Sequence, residues 1–244
     1  MSKIYLLLSL GFLSQTSFAN ADQVKQAILD TYGCKQNSFI CKAITENLNR
    51  DSNGCRVLPE SIEDLEPYIK QRNPALTGLQ VFDRIRYVGP ITGKYSYNYK
   101  RLKNGKFQIK AQVFFKNLNE YNTTEIETLK NKFRKAAQIW NQQNPFRNIY
   151  QFEFQLAAQS SSKTVSANLV KFDTRGPYFD KWSTRWNEYT IAHEFGHVLG
   201  LFDEYSYSNS NGSDCDQSSI MCNSYGKPKP FHYHLILQRS FCEV

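Results

Sequence analysis

Two histidines stand four residues apart at His193 and His197, with Glu194 directly after the first, in the stretch AHEFGHVLGLFDEY at residues 192–205. On a helix, positions i and i+4 lie one above the other, so both imidazoles face a common point. Imidazole nitrogen is a good ligand for zinc, and a catalytic zinc takes three protein ligands and leaves a fourth position for water. Glu194 lies beside that open position, where it can take a proton from the water as general base and pass it to a leaving amine. This is chemistry for hydrolysing a peptide bond. The competing reading of the same five residues is a polar stripe on a solvated helix.

A third ligand has to come from beyond the helix. Gly200 follows His197 by three residues, and a helix that must stop and swing its chain back needs a left-handed residue at its end, which glycine supplies without steric cost. An ordinary C-cap would use the same glycine. Two acids, Asp203 and Glu204, come next, and the remaining histidines of the chain, His232 and His234, lie farther on.

Asp203 occupies the place where the pattern H-E-x-x-H-x-x-G-x-x-H has its last histidine. At this point the chain resembles the metzincin clan of zinc peptidases, and the aspartate variant is similar to snapalysin-like bacterial members. The resemblance implies that Asp203 binds zinc through a carboxylate oxygen, with Glu204, His232 and His234 as rivals. It also gives a role to SSIMCNSYG, residues 218–226. Met221 resembles the methionine that metzincins carry in a tight turn beneath the zinc site; its other reading is a core methionine filling a gap. Family members often place a tyrosine two residues after that methionine to stabilise the developing oxyanion. Here that position is Asn223, and the nearest tyrosine is Tyr225, which becomes the candidate catalytic donor, with plain packing as the alternative.

The resemblance covers roughly residues 107–244 and implies a protein or peptide substrate laid along an edge strand above the active-site helix. The stretch 164–172 is the candidate strand. Tyr178, Phe179, Trp182 and Trp186 either line side-chain pockets or pack between sheet and helix.

The elements that must position these residues are legible in the periodicity. Phe107, Ile109, Ala111, Val113 and Phe115 alternate with polar residues, the period of a strand with one buried face. A helix follows, with Thr124 and Glu127 as a capping box, an apolar stripe of Ile126, Leu129, Phe133, Ala137 and Trp140, and Pro145 closing it. YQFEFQL (residues 150–156) and TVSANLVKF (residues 164–172) read as strands. A second helix runs from about Asn187 to Leu199 and stops at Gly200. The expected fold is therefore α+β, and the resemblance makes it a metzincin-like zinc peptidase domain, with a twisted sheet, a backing helix and the active-site helix, over residues 106–244.

Ahead of that domain, residues 22–105 read as a small helical unit, an accessory piece or a pro-region, with apolar turn sets at Val24, Ala27, Ile28 and at Ile62, Leu65, Tyr68, Ile69. A pro-region with a cysteine placed on the zinc is one reading, but no matching inhibitory motif is present. Residues 1–21 have an early lysine, an apolar run from Ile4 to Leu13 and small residues at Ala19 and Ala21, the make-up of a secretory signal peptide. The expected location is secreted or periplasmic. No stretch reaches the roughly 20 apolar residues of a membrane helix, so stable membrane insertion is not expected.

The formal charge of +8 suits an anionic surface, yet the lysines and arginines are scattered among acids and no basic run is interleaved with stacking aromatics, which argues against nucleic acid. Three cysteines precede residue 56 and three follow residue 214, so full pairing requires at least one disulfide between the two ends, and export is where disulfides persist. The reading is a secreted, monomeric zinc metalloendopeptidase with His193, His197 and Asp203 on the metal and Glu194 and Tyr225 in catalysis. The alternatives are a zinc-dependent amidase acting on cell-wall material and a zinc-binding toxin or adhesion module with little hydrolytic activity.

Overall fold

The structure is a computed structural model that describes residues 77–86, 92–104, 106–148, 150–161, 164–173, 181–201, 203–204 and 215–240. The segment expected to be a signal peptide, the turn sets expected before residue 77, Tyr178 and Phe179, and Cys34, Cys41, Cys55 and Cys242 lie outside these residues.

Six strands and three α-helices follow one another in the described chain: β1 (Thr77–Arg86), β2 (Thr92–Arg101), β3 (Phe107–Phe115), α1 (Thr123–Gln142), β4 (Tyr150–Leu156), β5 (Val165–Val170), β6 (Lys181–Ser183), α2 (Glu188–Val198) and α3 (Pro230–Ser240). The arrangement is α+β with a mixed sheet. β1, β2 and β3 run antiparallel in sequence, whereas β4 and β5 both pair parallel with β3, and β6 pairs parallel with β5.

Residues 77–101 correct the expectation of a helical unit over residues 22–105, because they form two strands that continue the sheet from β3. The boundary expected at residue 105 falls between two paired strands. The period-two signal was there in Tyr95, Tyr97 and Tyr99 of TGKYSYNYKR. It carries little weight alone, since a strand is stabilised by a partner that the local sequence does not contain. Tyr97 is buried and its hydroxyl donates to the Ile236 carbonyl of α3 at 3.0 Å.

β3 is the spine of the sheet. Its alternate residues Phe107, Ile109, Ala111, Val113 and Phe115 are all buried and the intervening ones half-exposed, as period two requires of a strand with one covered face. The cover is α1, whose Leu129, Phe133, Ala136, Ala137 and Trp140 are buried. The N-cap of helix α1 lies two residues before the expected one. Asn122, not Thr124, is the N-cap, and its side chain and that of Glu125 complete a reciprocal capping box. Asparagine outranks threonine as a cap, and Glu127 is left to pair with Lys130 at 2.7 Å.

Asparagine side chains close the strand edges. Asn117 donates to the Leu169 carbonyl and accepts from the Leu169 N–H, both at 2.9 Å, two residues beyond the last β3–β5 pair, Phe115 and Ala167. Asn141 of α1 brackets Phe152 on β4 in the same way, at 2.9 and 2.8 Å. β5 has β3 and Asn117 on one side, and on the other, the edge expected for a bound peptide, β6 covers Asn168, Leu169 and Val170.

Candidate metal centre

Helix α2 carries the two histidines and is fixed from several directions. Asn187 caps it, its side chain accepting from the N–H groups of Tyr189 and Thr190 at 3.1 and 2.9 Å. Phe195, between the histidines on the opposite face, packs in an aromatic cluster with Phe133 of α1, Phe154 of β4 and Trp182 of β6, at centroid separations of 4.9, 4.0 and 5.4 Å. Such pairs add about 0.5–1.5 kcal/mol each beyond the burial of their area. Trp182 and Trp186 are buried, so these two aromatics are packing residues. The Trp140 indole of α1 donates to the Ala192 carbonyl at 2.9 Å, one residue before His193.

The helix ends as the glycine predicted. Gly200 has φ of 90°, and the N–H groups of Gly200 and Leu201 donate to the carbonyls of His197 and Gly196, each at 2.9 Å. This is the bonding pattern of a Schellman cap. It also aims the Leu201 carbonyl at His197, whose Nδ1–H donates to it at 2.9 Å.

His193 is oriented by a residue far along the chain. Its Nδ1–H donates to the Ile220 carbonyl at 2.6 Å. A carbonyl can only accept, so both rings hold hydrogen on Nδ1, and both Nε2 atoms are left to face inward.

They face one oxygen. Asp203 Oδ1 lies 3.3 Å from His193 Nε2 and 3.3 Å from His197 Nε2, and the three donor atoms fall within 4.8 Å of one another. The carboxylate is 6 % exposed. Two lone-pair nitrogens and a carboxylate oxygen repel at this range unless a cation lies among them. In the metal-free chain protons on the rings fill that role. Burial pulls the His197 ring down, but the adjacent Asp203 charge outweighs it and raises the ring to about 9. His193 is raised by the same balance, its burial overcome by Asp203. Asp203, although burial pushes it up, is held well below the usual carboxylate range by the two histidines.

A metal ion fits the same space. Donors bound about 2.0–2.1 Å from a tetrahedral zinc stand about 3.3–3.4 Å from one another, which is the His–Asp separation observed. His193, His197 and Asp203 are the group of this kind among the described residues. Two imidazoles and a carboxylate are a donor set that zinc accepts.

No match is found among protein families, curated proteins or solved structures. The site therefore speaks through its own geometry.

The rival ligands are engaged with each other. Glu204 Oε1 accepts from Ser219 Oγ and from His232 Nε2, both at 2.7 Å. Glu204 and His232 are buried away from the cluster's donor atoms, and the His234 side chain lies outside the described residues.

Met221 is fully buried and its sulfur lies against Gly196 of α2, the residue before His197. The turn that carries it is closed by the Cys215–Cys222 disulfide. Parity then leaves Cys242 to pair with one of the three N-terminal cysteines in a fully oxidised chain.

Glu194 is half-buried, and its charge acts on both histidines. Tyr225 is 61 % exposed; its hydroxyl accepts from Asn187 Nδ2 at 3.0 Å and its ring lies 5.8 Å from that of Tyr189. Tyr189 precedes His193 by four residues and so shares its helix face. Sequence reasoning passed over Gly196 and the Ile220 carbonyl. A glycine inside a helix is a signal, because it costs about 1 kcal/mol relative to alanine and calls for a packing reason; a backbone carbonyl has no signature at all.

Proposed function

We propose that the chain is an exported zinc-dependent endopeptidase of metzincin type. The observation that carries this reading is the convergence of two Nε2 atoms on one buried carboxylate oxygen at 3.3 Å, with a glutamate on the same helix turn. The Schellman turn at Gly200 and the buried Met221 beneath Gly196 support it.

His193, His197 and Asp203 would hold the ion, which when bound supplies Lewis-acid polarisation and acidifies water. Two neutral imidazoles and one carboxylate leave a site charge near +1 instead of +2, so proton removal depends more on the general base. Glu194 takes the proton of the attacking water on its carboxylate and delivers it to the amine nitrogen as the C–N bond breaks. Ile220 and Leu201 keep the Nδ1 protons in place, so that both Nε2 lone pairs remain available. Tyr225 serves as oxyanion donor in this reading by turning away from Asn187.

The basic charge favours one second reading, an amidase acting on an anionic cell-wall polymer. Incubation of the purified protein with casein and with peptidoglycan, each with and without chelator, separates the two. Chelator-sensitive cleavage of casein, abolished in Glu194→Ala with zinc retained, is the expected result; cleavage of peptidoglycan alone selects the amidase.

A further inference from the structure

We propose that Glu204, Ser219 and His232 form the buried support that sets Asp203 in its ligand position. The proposal rests on the metal reading of the His193–His197–Asp203 cluster and adds three positioning residues to it.

Asp203 and Glu204 are adjacent acids, 6 % and 5 % exposed, with opposite destinations. Asp203 turns to the two histidines, and Glu204 turns to the segment that carries Met221 and to α3. Glu204 is held at three points. Its N–H donates to the Met221 carbonyl at 3.0 Å. Its Oε1 accepts from Ser219 Oγ and from His232 Nε2, both at 2.7 Å. The Lys229 N–H donates to His232 Nδ1 at 3.0 Å, so the ring hydrogen resides on Nε2, where it can donate to the carboxyl. The His232 ring lies 6.2 Å from that of Trp140, the residue that also bonds the Ala192 carbonyl ahead of His193.

An aspartate side chain has two rotatable bonds, so its oxygen goes where its backbone is placed. That backbone leaves α2 at a left-handed glycine, and Asp203 is followed directly by the anchored Glu204. The same turn that anchors Glu204 also orients His193 through Ile220. One buried network therefore fixes the third ligand relative to the first. Outer partners of this kind are worth about 10–100-fold in metal affinity.

The test is Zn(II) and Co(II) affinity of the full chain, by competition with a chromophoric chelator, together with the Co(II) visible spectrum and the melting of the metal-free forms. Glu204→Ala is expected to weaken metal binding about 10–100-fold and to alter the Co(II) bands while the protein remains folded. His232→Gln, which keeps an N–H donor, should bind more tightly than His232→Leu. Should Glu204→Ala fail to fold, Ser219→Ala carries the test, with weakened binding expected from the loss of one of the two hydrogen bonds. A network that merely held the fold would lower the melting temperature and leave affinity and spectrum unchanged, and that result in any folded variant overturns the proposal. A wild type that takes up no metal overturns this proposal and the metal reading together; tight wild-type binding matched by the variants overturns this proposal alone.

Discussion

The sulfur of Met221 sits where a side chain on Gly196 would have to go. A Cβ built on Gly196 stands 2.4 Å from Met221 Sδ, 3.1 Å from its Cε and 3.4 Å from a ring carbon of Trp140. Helix α2 can approach the methionine turn only because the residue before the second histidine has no side chain.

Gly196→Ala is therefore expected to destabilise the protein, although helix propensity alone favours alanine by about 1 kcal/mol. Overpacking of a filled site costs about 1–3 kcal/mol, and Met221 is fully buried with the disulfide closing its turn. Thermal melting should show a lower Tm, partly restored when Met221→Ala is added to Gly196→Ala. An unchanged or higher Tm in the single variant would mean that the methionine yields freely.

Asp203→Ala should remove metal without unfolding the chain. The carboxylate is one of three donors, and its loss should cost at least the roughly 10–100-fold that an outer partner costs. Equilibrium dialysis followed by metal analysis of wild type and variant reads this directly. Equal zinc content in the two would exclude Asp203 as a ligand.

Metal uptake near neutral pH should release protons. His197 is raised to about 9 in the metal-free chain and His193 is raised as well, so both rings carry a proton that a metal must displace. Calorimetric titration in buffers of different ionisation enthalpy should give a heat that varies with the buffer. A buffer-independent heat would show that the rings were already neutral.

Stability of the metal-free form should follow the same protons. For His197 the folded value, about 9, exceeds the unfolded value of about 6.5. Its contribution is then complete below pH of about 6.5 and disappears as the pH rises through about 9. Asp203 is lowered, so its contribution is present above an unfolded value of about 3.9 and is lost as the pH falls through its depressed folded value. Denaturant melts of chelator-treated protein should weaken from pH 6.5 to 9, whereas zinc-loaded protein, whose ligands must be deprotonated, should not weaken over that range.

Asn117→Ala should loosen the sheet at β5. The side chain satisfies both the N–H and the carbonyl of Leu169, and the carbonyl keeps a second donor in the Tyr121 hydroxyl at 2.6 Å. The N–H has no such reserve, and an unsatisfied buried donor costs about 1–3 kcal/mol. A shift of the urea midpoint in that direction is expected, with metal affinity unchanged because the site lies on other elements.

Much of this was legible in the chain itself. Strand β3, the stripe of α1 and the span of α2 follow from periods of 2 and 3.6, because a side chain's face is set by its own backbone. The i, i+4 spacing of His193 and His197 brings their rings together for the same reason, and Gly200 ends the helix because the left-handed turn favours glycine. The cap of α1 was misplaced by two residues, since Asn122 and Thr124 each stand three residues before a glutamate, and the cap falls on the asparagine, whose backbone is extended.

What tertiary structure alone decided is which groups meet across long stretches of chain. The Ile220 carbonyl lies 27 residues from His193, and His232 lies 28 residues from Glu204. The resemblance favoured Asp203 as third ligand over Glu204, His232 and His234; the tertiary structure sets Asp203 against the two histidines and joins Glu204 to His232. Strands β1 and β2 escaped notice because each is held by a partner strand, β1 by β2 and β2 by both β1 and β3, and a partner leaves no mark on a strand's own residues. Periodicity is a property of a segment, whereas pairing is a property of two.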